Sequence, residues 1–351
     1  MVRHALFLVA VWLATAAAAS AAVRWADLPK QSAEWAASAD ARAVADSVLS
    51  YQTDSGGWPK NTDLATPPTA PQRADQTMHE ATIDNDGTTT PLHFLARIIT
   101  TQPDARYRAA FERGLDYLFA AQYPNGGWPQ FYPLKPGYYT HITYNDNAMV
   151  NVLTLLRAVA AGREPYTFVD AARRNRAAAA VAQGRECILR TQVKQDGKLT
   201  VWCAQHDEAT FAPAAARNFE PVSLSGSESV GIVKWLMGEA TPTPEIIAAI
   251  EGAVHWFESV PVHGLRLDDS PGPDGKKERR TLADPAAPAL WARFYELGTN
   301  RPIYTGRDKV IRYDYNEIER ERRTGYGYLG DWPASLLAKD YPRWRAKHQL
   351  P

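Results

Sequence analysis

The sequence predicts a mainly α-helical fold, an α/α toroid in which helical hairpins form a ring and long loops shape a cleft. Three observations carry that prediction. Gln52, Gln122 and Gln192 recur at intervals of 70 residues, each closing an apolar stretch. Each is followed by glycine and tryptophan: Gly56-Gly57-Trp58-Pro59, Gly126-Gly127-Trp128-Pro129, and Gly197 with Trp202. Each unit then carries a polar cluster that opens a second apolar run of helical spacing. Repeats at fixed spacing mark stacked supersecondary units, each burying a face against its neighbours.

The elements follow in order. Residues 1–21 read as a signal peptide, with an apolar run from Ala5 to Ala19 and Ala19-Ser20-Ala21 as the cleavage site. That run is shorter than the roughly 20 residues a membrane helix needs. A single exported domain is therefore expected over 22–351, secreted or periplasmic. Val44, Ala45, Val48 and Leu49 predict the first helix of unit one, and Phe111, Leu115, Leu118 and Phe119 that of unit two. The glycine pairs are expected to end these helices as left-handed C-caps, and Pro59 and Pro129 to prevent a restart. The second helices are expected over Leu92 to Ile98, Met149 to Leu156 and Val230 to Met237. Their polar starts, Thr82 to Asp86, Thr143 to Asn147 and Ser223 to Glu228, contain residues that serve as N-caps. A degenerate fourth unit is expected as a helix over Ile250 to Val260 and another from Asp284-Pro285 through Trp291 to Leu297. A last short helix is expected over Ala334 to Lys339.

Composition limits the chemistry. The chain has 39 Lys+Arg and 39 Asp+Glu, so it has no whole-chain basic footprint for nucleic acid. A monomer without nucleic-acid or membrane partners is expected. Its 11 Trp, 16 Tyr and 10 Phe, set among 25 Pro, supply flat platforms in ordered loops of the kind that hold sugars. Cys187 and Cys203 suit either a disulfide or two buried thiols. There is no HExxH and no set of cysteine pairs for zinc, and no GxSxG elbow. Gly325 to Gly330 spells GxGxxG but lacks a following helix. Asp84-Asn85-Asp86-Gly87 opens like an EF-hand, yet Thr89 and Leu95 stand where that loop needs Gly and Glu.

The equivalent helix starts remain. Asp84, Asn85 and Asp86 in one repeat and Asp146 in the next place several oxygen ligands where neighbouring units meet. That donor set suits a hard cation such as Ca²⁺. A plain cap uses one side chain, not several in a row at two equivalent places. Among the basic residues, Lys60, Arg217, Arg293 and Arg307 stand beside aromatics or the glycine turns, and arginine forks suit carboxylates. His141 and His206-Asp207 are expected to be structural.

The stretches GGWPKN, TIDNDGTTTPLHFLARI, GGWPQFYP, TYNDNAM, LTVWCAQHD, ARNFEPVSLSGSES and WARFYELGTNRPIYTGRD closely resemble pectate lyases of polysaccharide lyase family ten. The resemblance runs in order over nearly the whole chain after residue 21. It implies an α/α toroid with a cleft and calcium-dependent β-elimination of polygalacturonate. It also implies that Asp84 and Asp146 are calcium-associated, that Arg217 is the Brønsted base and that Arg307 binds a substrate carboxylate. Arg293 aligns with a substrate-binding residue that is lysine in some members. Lys60 and Tyr144 complete the expected substrate-binding set.

Elimination removes the C5 proton, which lies α to an anionic carboxylate, and expels the C4 oxygen. Cations on that carboxylate stabilise the enolate-like transition state. An arginine base must be neutral at least transiently, against a free pKa above roughly 12, so an alkaline optimum is expected. Two alternatives stay open on the residues: an inverting glycoside hydrolase using Asp84 and Asp146, and a non-catalytic polysaccharide-binding protein.

Overall fold

The computed structural model describes residues 23–350; the expected signal peptide lies outside the described residues. Seven helices build the frame: α1 (Ala39–Ser50), α2 (Thr89–Thr101), α3 (Ala105–Ala121), α4 (Ala148–Ala161), α5 (Ala171–Thr191), α6 (Glu228–Met237) and α7 (Pro244–Ser259). They lie in two rows. α2, α4 and α6 touch in sequence, as do α1, α3, α5 and α7, and α2–α3, α4–α5 and α6–α7 pack as hairpins across the rows. The difference between the rows follows from composition. α4 is apolar nearly all round and buries eight residues, from Ala148 to Val159. α5 buries only Ala177, Ala180, Gly184, Cys187, Ile188 and Thr191, one face of a helix whose other sides carry Arg and Glu. α4 is therefore central and α5 peripheral. No helix among the described residues is long and apolar enough to cross a membrane.

The 70-residue period has a physical cause. The Gln52 amide donates to the carbonyls of Gly56, in its own turn, and Ala110, in α3. Gln122 does the same to Gly126 and Ala180, and Gln192 to Thr200 and Ala249. Each glutamine thus ties a turn to the peripheral helix of the next unit. The tryptophan that follows is fully buried and caps a carbonyl of the preceding helix: Trp58 on Val48, Trp128 on Leu118, Trp202 on Ile188. Trp291 repeats this on Phe257 and so marks the fourth unit.

The glycines act differently from the expectation. α1 and α3 stop before them, at Tyr51 and Gln122, without a left-handed cap. Gly56 (φ 97°) and Gly126 (φ 91°) instead close the turn beyond. A Cβ at Gly126 would come within 2.1 Å of the Gln183 carbonyl oxygen, so only glycine lets this turn meet α5.

The loops before the central helices are stitched from unit to unit. Thr82 bridges to Phe131, Ile142–Thr143 pairs antiparallel with Gln205–His206, and Leu224–Ser225 with Phe294–Tyr295. The helix expected from Asp284 to Leu297 is not formed. Trp291–Ala292 pairs with Leu329–Gly330, and the aromatic residues Trp291, Phe294, Tyr295 and Tyr328 there favour short strands over a helix. The last expected helix, Ala334 to Lys339, is formed, with a π-helical turn over Leu336–Asp340, and runs on through Tyr341–Lys347. Cys187 and Cys203 are separate buried thiols.

Candidate active site

The stitched loops bring the starts of α2, α4 and α6 to one end of the helical rows. The one-turn 3₁₀ segments Asp84–Asp86 and Asn145–Asn147 pack against each other. Asn85, Asp86, Asp146 and Asn147 all have positive φ, between 47° and 60°. Four consecutive-pair Asx residues in the left-handed region are uncommon, and such backbone concentrates at functional sites. None of the three helices has a side-chain N-cap bond, whereas the peripheral helices are capped by Ser38, Asp104, Asp170 and Thr243. Asp84 and Asp146 therefore cap no helix, whereas in the third cluster Ser225 Oγ accepts from the Glu228 N–H at the start of α6.

Asp84 is buried. Its Oδ2 accepts from Lys60 Nζ and Gln130 Nε2, while Oδ1 is buried with no partner among the described residues. Asp146 is half-buried, 3.8 Å from Arg293 Nη1, and accepts from Asn145 Nδ2 at 2.9 Å. Burial pushes its carboxyl above the ordinary range, Arg293 opposes this, and the Glu228 and Asp84 charges add to it. Asn85 and Asp86, expected with them, are turned to other tasks. Asn85 donates to Asn61, and Asp86 accepts from Asn151 on α4 and from Thr89. Both stand exposed in the left-handed turn, while Asp84 just before it is buried. Tyr144 is likewise not a cleft residue: it is fully buried, with its hydroxyl 2.7 Å from Thr191 Oγ1 on α5.

Opposite the aspartates runs a chain of charged and aromatic groups. Arg293 Nη1 donates to Glu228 Oε1 at 2.6 Å and to the Tyr326 hydroxyl at 3.2 Å, and its Nε holds the Gly327 carbonyl. Burial opposes its charge, but Glu228, Tyr326 and Asp146 hold the guanidinium above its ordinary pKa. Tyr326 donates to Glu220 Oε1 at 2.8 Å. Glu220 in turn grips Arg217 through Nε, Nη2 and the backbone N–H. That pairing raises the Arg217 pKa despite partial burial. Nη1 is the guanidinium nitrogen that Glu220 leaves open. The Phe219 ring carries Arg217 at 4.8 Å, Arg307 at 5.5 Å and Arg322 at 4.4 Å. Arg307 is more than half exposed and forks onto Glu321 at 2.9 Å twice.

Sequence reasoning missed Glu220, Glu228 and Tyr326, which organise the arginines. Glu228 was legible as the third counterpart of Asp84 and Asp146 at a helix start. Glu220 and Tyr326 had no local signal, because they meet across 106 residues. His206 is structural, as expected: Nδ1–H donates to the Phe211 carbonyl and Nε2 accepts from the Cys203 N–H. Among the described residues, His141, Asp207 and Glu208 are the group of three whose ligand atoms lie within 4.8 Å of one another. They are half-buried at the seam between Ile142–Thr143 and Gln205–His206. The carboxylates of Asp84, Asp86 and Asp146 do not form such a group.

The sequence model for pectic acid lyases matches residues 52–337, which takes in all of these residues. The chain belongs to the pectic acid lyase family. Four chains of known structure match it. Family 10 polysaccharide lyase from Cellvibrio cellulosa is 36% identical over 92% of this chain and 95% of that one, with a TM-score of 0.77. An aspartate-to-alanine variant of family 10 polysaccharide lyase from the same organism, in complex with trigalacturonic acid, is 36% identical over 91% and 95%, with a TM-score of 0.76. No curated protein sequence matches the chain. As a family member, the chain is a polysaccharide lyase.

Proposed function

We infer that the protein is a pectate lyase that cleaves polygalacturonate by calcium-dependent β-elimination, giving 4,5-unsaturated oligogalacturonides. The observation that carries this reading is the opposition of two aspartates from neighbouring repeats to a row of organised arginines. A uronate anion between them meets cations on one side and metal ligands on the other.

Ca²⁺ fits Asp84 and Asp146. The buried Oδ1 of Asp84 is a carboxylate oxygen with no partner among the described residues, and Asp146 stands near the Asp84 and Glu228 charges with a carboxyl that burial pushes up. Bound there, Ca²⁺ supplies a Lewis acid for the substrate carboxylate. Arg307 and Arg293 hold uronate carboxylates, and Lys60 balances Asp84. Arg217 presents Nη1 to the cleft and takes the C5 proton. Because Glu220 holds Arg217 cationic, the neutral base is scarce and turnover rises with pH.

The fold reading goes with it: the two helical rows curve into an α/α toroid, one domain over 22–351, acting as an exported monomer after loss of 1–21. The test is spectrophotometric. Purified protein should generate an ultraviolet-absorbing unsaturated product from polygalacturonate, best at alkaline pH and abolished by chelator. Reducing ends formed without that absorbance would mean hydrolysis instead, and binding without turnover would mean a non-catalytic protein.

A further inference from the structure

The loop Phe131–Thr140 carries charge and aromatic surface that the site above does not use. The Phe131 ring sits between two ammonium groups: Lys60 Nζ is 5.3 Å from its centroid and Lys135 Nζ 5.1 Å. Lys60 reaches back to Asp84, so the ring joins the metal end of the cleft to Lys135. Tyr139 meets Phe131 edge-on at 5.2 Å, and Tyr138 lies against Tyr139 at 4.1 Å. The loop's aromatic rings therefore run in contact from Tyr138 through Tyr139 and Phe131 to Lys135.

Beside it lies a cavity of about 220 Å³, lined among others by Glu80, Phe131, Leu134 and Lys135. That is below the roughly 300–1,000 Å³ of a drug-sized pocket and on the scale of one sugar. Leu134 is 52% exposed, an apolar side chain left uncovered at its rim. Glu80 takes Lys135 through both oxygens, at 2.9 and 2.7 Å. An ammonium has three donors, so one remains for an incoming carboxylate.

We propose that this cavity is a distal subsite for a further galacturonate unit of the polysaccharide, with Lys135 on its carboxylate and Phe131 against its ring. The proposal rests on the pectate lyase reading. Glu80 competes with the substrate for Lys135, so the subsite is tuned to weak binding and lets product leave. A lysine that served only to hold Glu80 and its loop would affect substrates of every length alike.

The experiment compares trigalacturonate with hexagalacturonate. Lys135→Ala should raise KM for the hexamer roughly three- to tenfold, with kcat and the trimer KM unchanged, the range expected of one partly exposed ionic contact. Lys135→Arg should restore most of the hexamer affinity. Glu80→Gln should lower the hexamer KM below wild type, because it releases the ammonium. Equal changes for trimer and hexamer, or no change for either, would overturn the subsite while leaving a working lyase. Calorimetric titration of both oligomers into wild type and Lys135→Ala applies the same comparison without turnover. If the wild type gives no unsaturated product from either oligomer but loses hexamer affinity on Lys135→Ala, the lyase reading fails and the subsite stands.

Discussion

Arg217 and Glu220 form a two-pronged pair, with Nε 2.8 Å from Oε2 and Nη2 on Oε1. Two residues lie between them, and the Tyr326 hydroxyl also donates to Oε1. The arginine named as base is thus firmly held in its charged form.

Lysine at position 217 separates the roles of that residue. If Arg217 takes the C5 proton, Arg217→Lys and Arg217→Ala should each lower kcat at least about a hundredfold with KM little changed, the mark of an interaction made in the transition state. If it only binds a carboxylate, the lysine variant keeps most of its kcat and KM rises.

Glu220→Gln removes the negative charge that holds Arg217 protonated but preserves size. The alkaline rise of kcat should move to lower pH, because the neutral guanidine becomes easier to form. A pH–rate profile superimposable on wild type would show that Arg217 does not titrate in the cycle.

Asp84→Asn and Asp146→Asn should each raise the calcium concentration for half-maximal activity more than about tenfold, since each removes a formal charge from a hard-cation site. Helical content by circular dichroism should not change, because neither residue caps a helix.

The His206 pKa is lowered to about 4 by burial. Its neutral ring satisfies two backbone groups, and protonating Nε2 would break the bond from the Cys203 N–H. Stability from this residue is fully present above the unfolded pKa of about 6.5. It is lost as pH falls from there through about 4. Chemical denaturation across that window should show wild-type stability falling, and His206→Gln should show a shallower fall.

Gln192 donates both amide hydrogens to backbone carbonyls inside the protein. Gln192→Ala leaves both carbonyls unpaired and should cost about 2–3 kcal/mol in denaturant midpoints. A loss below about 0.5 kcal/mol would mean that water replaces the amide.

The repeat was legible because Gln, Gly and Trp at 70-residue spacing each perform a local duty: a clamp, a close turn and a carbonyl cap. The fourth unit was misread at Asp284 to Leu297. Its tryptophan was visible, but the strand partners at Leu224–Ser225 and Leu329–Gly330 lie far away in sequence. Asp84 and Asp146 could be picked out because they lie in equivalent helix-start clusters of adjacent units, one residue apart in register. Asn85 and Asp86 looked equally good and stand exposed beside Asp84, while Tyr144 is buried against Thr191, a packing that nothing in a linear reading reports.

The seams between units give the catalytic end a weakness that the helices do not share. Gly330 pairs with Trp291, and Tyr326 closes the arginine row from a segment that follows the last long helix. A protease cut between Arg320 and Gly325, in the partly exposed short helix there, would leave α1 to α7 packed and their glutamine clamps intact. The cut protein would keep its circular dichroism and its melting transition while Arg293 and Glu220 lost their shared tyrosine. Loss of turnover would then precede loss of fold, so nicking, rather than heating, is the gentlest way to inactivate this molecule.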